Sequence, residues 1–163
     1  MVVPPGGSVP FPPFEGPITG GERNGLLSNP SPPDLLQQYG YVEQEFFISG
    51  DATAYTADGT LGQDGLWAAH PNGTAPYTTR ILVRRPADPA TANGIIAVEW
   101  FNVSGGQDAD PDFGSLYPTL LSEGTTWVGV SAQFGGVQGP GLSLPIQGVS
   151  PTPLKAADPT RYA

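Results

Sequence analysis

The chain has 163 residues, a formal charge of −9 and no cysteine, which leaves room for one domain and excludes disulfide scaffolds, cysteine-ligated zinc and thiol catalysis. Its six basic residues are scattered apart from Arg80, Arg84 and Arg85, so binding to nucleic acid lacks its main energy source. No apolar run reaches the roughly 18 residues of a spanning helix, and Met1–Phe14 has neither the basic nor the apolar region of a secretory signal, so the compartment is left open.

Leu, Ile, Val and Phe make up 37 of the 163 residues, just above the roughly 20% below which chains tend to stay disordered, so a modest core is available. The 23 glycines and 20 prolines concentrate at the two ends. Residues 1–33 read as a Pro/Gly-rich arm with no helix or strand period, residues 34–133 as the foldable part, and residues 134–163 as a Gly/Pro-rich loop. Ser31-Pro32-Pro33-Asp34 opens a short helix through Gln38, stopped by Tyr39-Gly40. Val42, Gln44, Phe46 and Ile48 then alternate with Tyr41, Glu43, Glu45 and Phe47, the period of a half-buried strand, and Ala52–Thr56 continues it or pairs with it.

Asp58–Pro76 reads as loop, with Asp58-Gly59, Asp64-Gly65 and Pro71-Asn72-Gly73 turn signals. Tyr77–Arg85 is β-branched and aromatic, a strand that Pro86 ends, and these early strands suit an antiparallel region. Ile95–Phe101 is nearly continuous apolar, as in a central strand covered on both faces. Asp110-Pro111 offers an N-cap and first helical position, followed by Phe113, Leu116, Tyr117, Leu120 and Leu121 at helical spacing and a stop at Gly124. Pro118 inside that helix predicts a kink, a 3₁₀ turn or a late start. Thr126–Ala132 returns as a second buried strand, which makes 95–132 a parallel strand-helix-strand unit, and period is lost from Phe134 onward.

Ligands of parallel sheets bind beyond the carboxyl ends of the strands, which singles out the loops Asn102–Gly106 and Gln133–Gly136. Asn102-Val103-Ser104-Gly105-Gly106 has the composition of an oxyanion hole built from backbone N–H groups, and equally of a plain turn. Glu99 interrupts an apolar strand and is read as a carboxylate paired structurally, to an arginine, or as a site residue. Gly129-Val130-Ser131-Ala132-Gln133 approaches a nucleophile elbow but lacks its last glycine, and Ser104 lacks the glycine before the serine. Asp108, Asp110 and Asp112 match the start of a calcium loop, but Phe113 stands where that loop needs glycine and Thr119 where it needs glutamate, so helix capping accounts for them better. His70, the single histidine, is a solvated loop residue or a catalytic base. Asn72-Gly73-Thr74 and Asn102-Val103-Ser104 match the glycosylation sequon and are taken as incidental. No cofactor motif is present.

The segments GYVEQEFFISG (40–50), APYTTRILVRRPADP (75–89), GIIAVEWFNVSGG (94–106) and WVGVSAQ (127–133) together resemble the amino-terminal part of a bacterial group of esterase-like alpha/beta-hydrolase-domain proteins, over roughly Gly40 to Tyr162. The resemblance implies an α/β fold: a partial alpha/beta-hydrolase sheet of antiparallel early strands and one parallel strand-helix-strand unit. It implies a serine nucleophile on a G-E-S-Q-S elbow downstream of the segment matching Lys155–Tyr162, with acid and histidine later still, and a small-molecule ester as substrate. It implies that Asn102–Gly106 follows the third strand of that fold, with Val103, Ser104 and Gly105 as the candidate oxyanion residues. The chain stops before the elbow, and His70 lies upstream of every candidate serine, the reverse of that fold's order. The expectation is an incomplete or shortened product, inactive alone, whose strand Ile95–Phe101 keeps an unpaired apolar edge open to a partner chain. A non-catalytic interaction module using that edge, and a calcium-binding β-rich module, are the alternatives.

Overall fold

The computed structural model describes residues 12–19, 33–139 and 152–163. Most of the predicted arm, Ser31 and Pro32 of the first helix start, and 140–151 lie outside the described residues. The elements in chain order are β1 (Phe14–Glu15), α1 (Pro33–Gln38), β2 (Tyr41–Ala57), β3 (Ala69–Pro86), a 3₁₀ turn (Pro89–Thr91), β4 (Ile96–Trp100), α2 (Pro111–Ser122), β5 (Thr126–Val130), α3 (Phe134–Val137) and α4 (Leu154–Ala157). The chain divides into two compact units, Met1–Phe14 with Ile48–Thr78 and Glu15–Phe47 with Thr79–Ala163.

One mixed five-stranded sheet has the order β1-β2-β3-β5-β4. β5 runs parallel to β4, with Val98 beside Val128, and antiparallel to β3, with Val83 beside the same Val128. The α/β class and the β4-α2-β5 parallel unit therefore follow the expectation. Five details do not. The arm contributes the two-residue strand β1. The predicted loop 58–76 is strand from Ala69: the turn closes at Asp58–Ala68, where the Asp58 N–H donates to the Ala68 carbonyl, and the Pro71-Asn72-Gly73 signal is absorbed into β3 with Gly73 at φ 85°. The region after Phe134 carries two helical turns, α3 and α4. α2 starts at Pro111 and stays α-helical past Pro118, so neither the 3₁₀ turn nor the late start occurs; the residue four before Pro118 is Gly114, and both are exposed, so the carbonyl that Pro118 leaves without a donor is open to water. Finally, β4 is the last strand of the sheet, with Ile96, Val98 and Trp100 exposed, not a strand covered on both faces.

The register explains the packing. Ala97 and Glu99 of β4, Trp127 and Gly129 of β5 and Leu82 and Arg84 of β3 share one face. Against that face lie Phe113 and Leu121 of α2 and Leu36 of α1, which join Tyr41, Leu82, Phe101 and Trp127 in the core. Side-chain contacts put Glu43 and Glu45 of β2 with the arginines of the same face, through Arg84 Nε to Glu43 Oε2 at 2.8 Å and Arg80 Nη1 to Glu45 Oε1 at 3.8 Å. The predicted alternation of β2 is not seen in burial: Tyr41 and Glu45 are buried, Glu43 between them is exposed, and Val42, Phe46 and Ile48 are half-buried. The opposite face carries Ile81, Val83, Val128 and Val130, half-buried, and grades into the exposed β4 residues. Burying a charged layer is tolerable only where each charge meets an opposite one or a set of hydrogen-bond donors.

Candidate functional site

The carboxyl ends of the parallel strands β4 and β5 lead into the two loops picked out by their glycines. After Phe101 the chain makes a closed loop. Asn102 and Ala109 exchange two backbone hydrogen bonds of 2.9 Å each, the Gly106 N–H donates to the Val103 carbonyl at 2.9 Å, and the Ser104 N–H donates to Asn102 Oδ1 at 2.9 Å. Gly106 sits at φ 75°, where a side chain would be strained. Among the described residues no hydrogen-bond partner accepts from the Val103 or Gly105 N–H. Of the three candidate oxyanion residues, Ser104 therefore has its N–H engaged within the loop, and Val103 and Gly105 have no acceptor for theirs among the described residues.

Charges anchor the return limb of this loop. Asp108 Oδ2 accepts from Arg80 Nη2 at 2.8 Å and from Ser131 Oγ at 2.5 Å, and Arg80 Nε donates to the same Ser131 Oγ at 3.0 Å. Asp110 Oδ2 accepts from Arg84 Nη1 at 2.6 Å. The Arg84 guanidinium also lies 4.0 Å from the Phe113 ring centre and 4.4 Å from that of Trp127. The loop after β5 closes against the first: Gln133 Nε2 donates to the Phe101 carbonyl at 2.9 Å, and a Cβ at Gly136 would overlap Asp108 Oδ1 and stand 2.8 Å from Val103 Cγ1.

These contacts decide the other candidates. Ser131 is buried, with its hydroxyl donated to Asp108; a helix does follow it, but only the four-residue turn α3, which starts three residues on. Ser104 is exposed on the loop, with no histidine among its partners. His70 lies on β3, not in a loop, with Nδ1 2.6 Å from Asp58 Oδ1 and both side chains half exposed; it belongs to the unit containing Ile48–Thr78, and Ser131 to the other. Asp108 and Asp110 are taken up by arginines, and Asp112 is exposed away from them. A calcium ion would have to displace both guanidinium groups, and among the described residues no three acidic or histidine side chains are grouped to hold a metal. Arg80 and Arg84 are likewise consumed internally, while Arg85 bonds Gln44 and the Pro86 carbonyl.

Glu99 is satisfied, but not by an arginine. Its two carboxylate oxygens accept the N–H groups of Asp112 (3.0 Å) and Phe113 (2.9 Å) at the start of α2, and the Trp127 indole N–H (3.1 Å). It caps α2 from the neighbouring strand, where its charge also meets the positive end of the helix dipole. Asp110 holds the N-cap position yet makes no side-chain cap, because its carboxylate is turned to Arg84.

Burial raises the Asp108 carboxyl against the lowering pull of Arg80. Burial raises Asp110 from 3.8 to about 6, again against its arginine, Arg84. The native chain therefore holds more protons than the unfolded one between about pH 4 and pH 6, so Asp110 makes stability fall as pH rises through that window, by on the order of 3 kcal/mol. Urea unfolding at pH 4, 5 and 6 is expected to show this slope, and Asp110→Asn is expected to flatten it; an unchanged slope in the variant would contradict the assignment.

Two hollows lie elsewhere, one of about 550 Å³ bordered by Ile18, Phe47 and Arg161, one of about 450 Å³ bordered by Tyr39, Asp88 and Glu123. Neither is lined by residues 102–106. Among the described residues no helix is long and apolar enough to cross a membrane.

A family model described as an alpha/beta hydrolase domain matches residues 14–163, reaching further back into the arm than the resemblance read from the segments after Gly40. No curated protein matches the chain, and no solved structure does.

Proposed function

Because the chain belongs to the alpha/beta hydrolase domain family, we propose that it is the amino-terminal portion of a serine-type, esterase- or lipase-like hydrolase of carboxylic esters, and that it supplies an oxyanion donor and not the nucleophile. The observation that carries this reading is the closed loop at the carboxyl end of β4, whose Val103 and Gly105 N–H groups have no acceptor among the described residues. In ester hydrolysis a serine oxygen attacks the carbonyl carbon and the π electrons move onto the carbonyl oxygen. Fixed N–H donors about 2.7–3.1 Å from that oxygen stabilise the charge as it forms. A loop pinned at both limbs provides such donors without reorganisation.

Ser131 does not fit the attacking role, since a buried hydroxyl committed to Asp108 cannot reach a substrate carbonyl. The nucleophile, acid and histidine are assigned to sequence beyond Tyr162. Support comes from the sheet. α/β proteins cover both faces of a parallel region with helices, yet Ile96, Val98 and Trp100 are exposed at the end of this one, and a following strand with its helices would cover them. The same exposure favours one second reading, in which a separate polypeptide adds a strand to the edge of β4 and the chain serves as an interaction module.

Purified as 163 residues, the chain is expected to show no p-nitrophenyl acetate turnover that depends on Ser131 or His70. Turnover abolished by Ser131→Ala or His70→Ala would place the machinery here and overturn the proposal. Absence of turnover together with a complex of defined stoichiometry with another polypeptide would favour the second reading.

A further inference from the structure

The carboxylate of Asp108 is more deeply committed than support of a turn requires. One of its oxygens closes a triangle with Arg80 and Ser131, which ties the end of β5 and the strand β3 to the return limb of the 102–109 loop. The next residue, Ala109, makes both backbone bonds to Asn102, and Asn102 in turn holds the Ser104 N–H through its side chain. Displacing Asp108 therefore displaces Ala109, then Asn102, then the turn that carries Val103 and Gly105.

The second oxygen of Asp108 is buried with no hydrogen-bond partner among the described residues. An unpaired buried acceptor costs about 1–3 kcal/mol and calls for a reason. The observed neighbour is Gly136 of α3, which packs so closely that any side chain there would strike Asp108 Oδ1 and Val103 Cγ1. Glycine at 136 lets the second loop press on the first.

We propose that Asp108 is a positioning residue, clamped by Arg80 and Ser131 and backed by Gly136, that keeps the Val103 and Gly105 N–H groups fixed and unoccupied. This rests on the oxyanion reading for its purpose, but its test needs no turnover, so the two fail separately. Backbone ¹⁵N relaxation is measured on the full 163-residue chain. In the unaltered protein the amides of Val103 and Gly105 are expected to be as rigid as those of Trp127–Val130, with order parameters of about 0.85. In Asp108→Asn and in Gly136→Ala they are expected to fall below about 0.6, or to split into two signals, while Trp127–Val130 stay unchanged. If Gly136→Ala does not fold, Ser131→Ala, which deletes one donor to Asp108 and adds no bulk, takes its place, with the same direction expected. Loop amides that stay rigid in the folded variants, or losses spread equally over β5, would overturn the proposal, the second outcome showing a role in global stability alone.

Discussion

Arg84→Ala is expected to destabilise the chain by about 3–5 kcal/mol, seen in urea unfolding at pH 7 and as a fall in Tm of roughly 10 °C or more. The guanidinium is 1% exposed and bonded to Asp110 and Glu43, so truncation leaves the Asp110 carboxylate buried without its counter-charge. It also removes the flat group sandwiched against Phe113 and Trp127, an attraction that strengthens when desolvated. The size of the effect comes mostly from the orphaned charge, not from the worth of the pair. Hence Arg84→Met combined with Asp110→Leu should recover most of the loss, since an apolar pair of similar volume often matches a buried ion pair. A loss below about 1 kcal/mol in the single variant would mean that water reaches Asp110.

The parts of the fold that follow from local pattern were legible in the sequence. Ile95–Phe101 and Thr126–Ala132 announce strands by their β-branched and apolar runs, and Phe113, Tyr117, Leu120 and Leu121 announce α2; the structure pairs the two strands in parallel across that helix. Of the predicted helix face, Leu116 alone proves exposed. The burial of Glu45 and the pairing of Glu43 in β2 were not legible, because the two find their partners 116 and 41 residues further along the chain, in Arg161 and Arg84. A signal existed: Arg80, Leu82 and Arg84 alternate on one face of β3, and the i, i+2 spacing of Asp108 and Asp110 supplies matching charges. Read separately, the aspartates suggested a cation or a helix cap.

Glu99 shows the same limit. A lone acid in an apolar strand signals a buried carboxylate, but its partners are backbone N–H groups at Asp112 and Phe113, which carry no mark in the sequence. The loop 102–106 was legible as glycine-rich and placed after a strand. Which N–H groups it leaves available depends on the Asn102 side chain turning to Ser104, and that is a property of the folded loop.

If the 102–106 loop stabilises the oxyanion of an ester hydrolase, as proposed, proline at position 103 or 105 removes the N–H that does so. The most direct measurement is steady-state hydrolysis of p-nitrophenyl acetate by the gene product that carries this chain together with a nucleophile elbow, comparing the unaltered protein with Val103→Pro and Gly105→Pro. At least one variant is expected to lose about 10²–10³ in kcat with KM little changed, as for an interaction made only in the transition state. Both variants folding and retaining kcat within about threefold would rule out an oxyanion role for this loop.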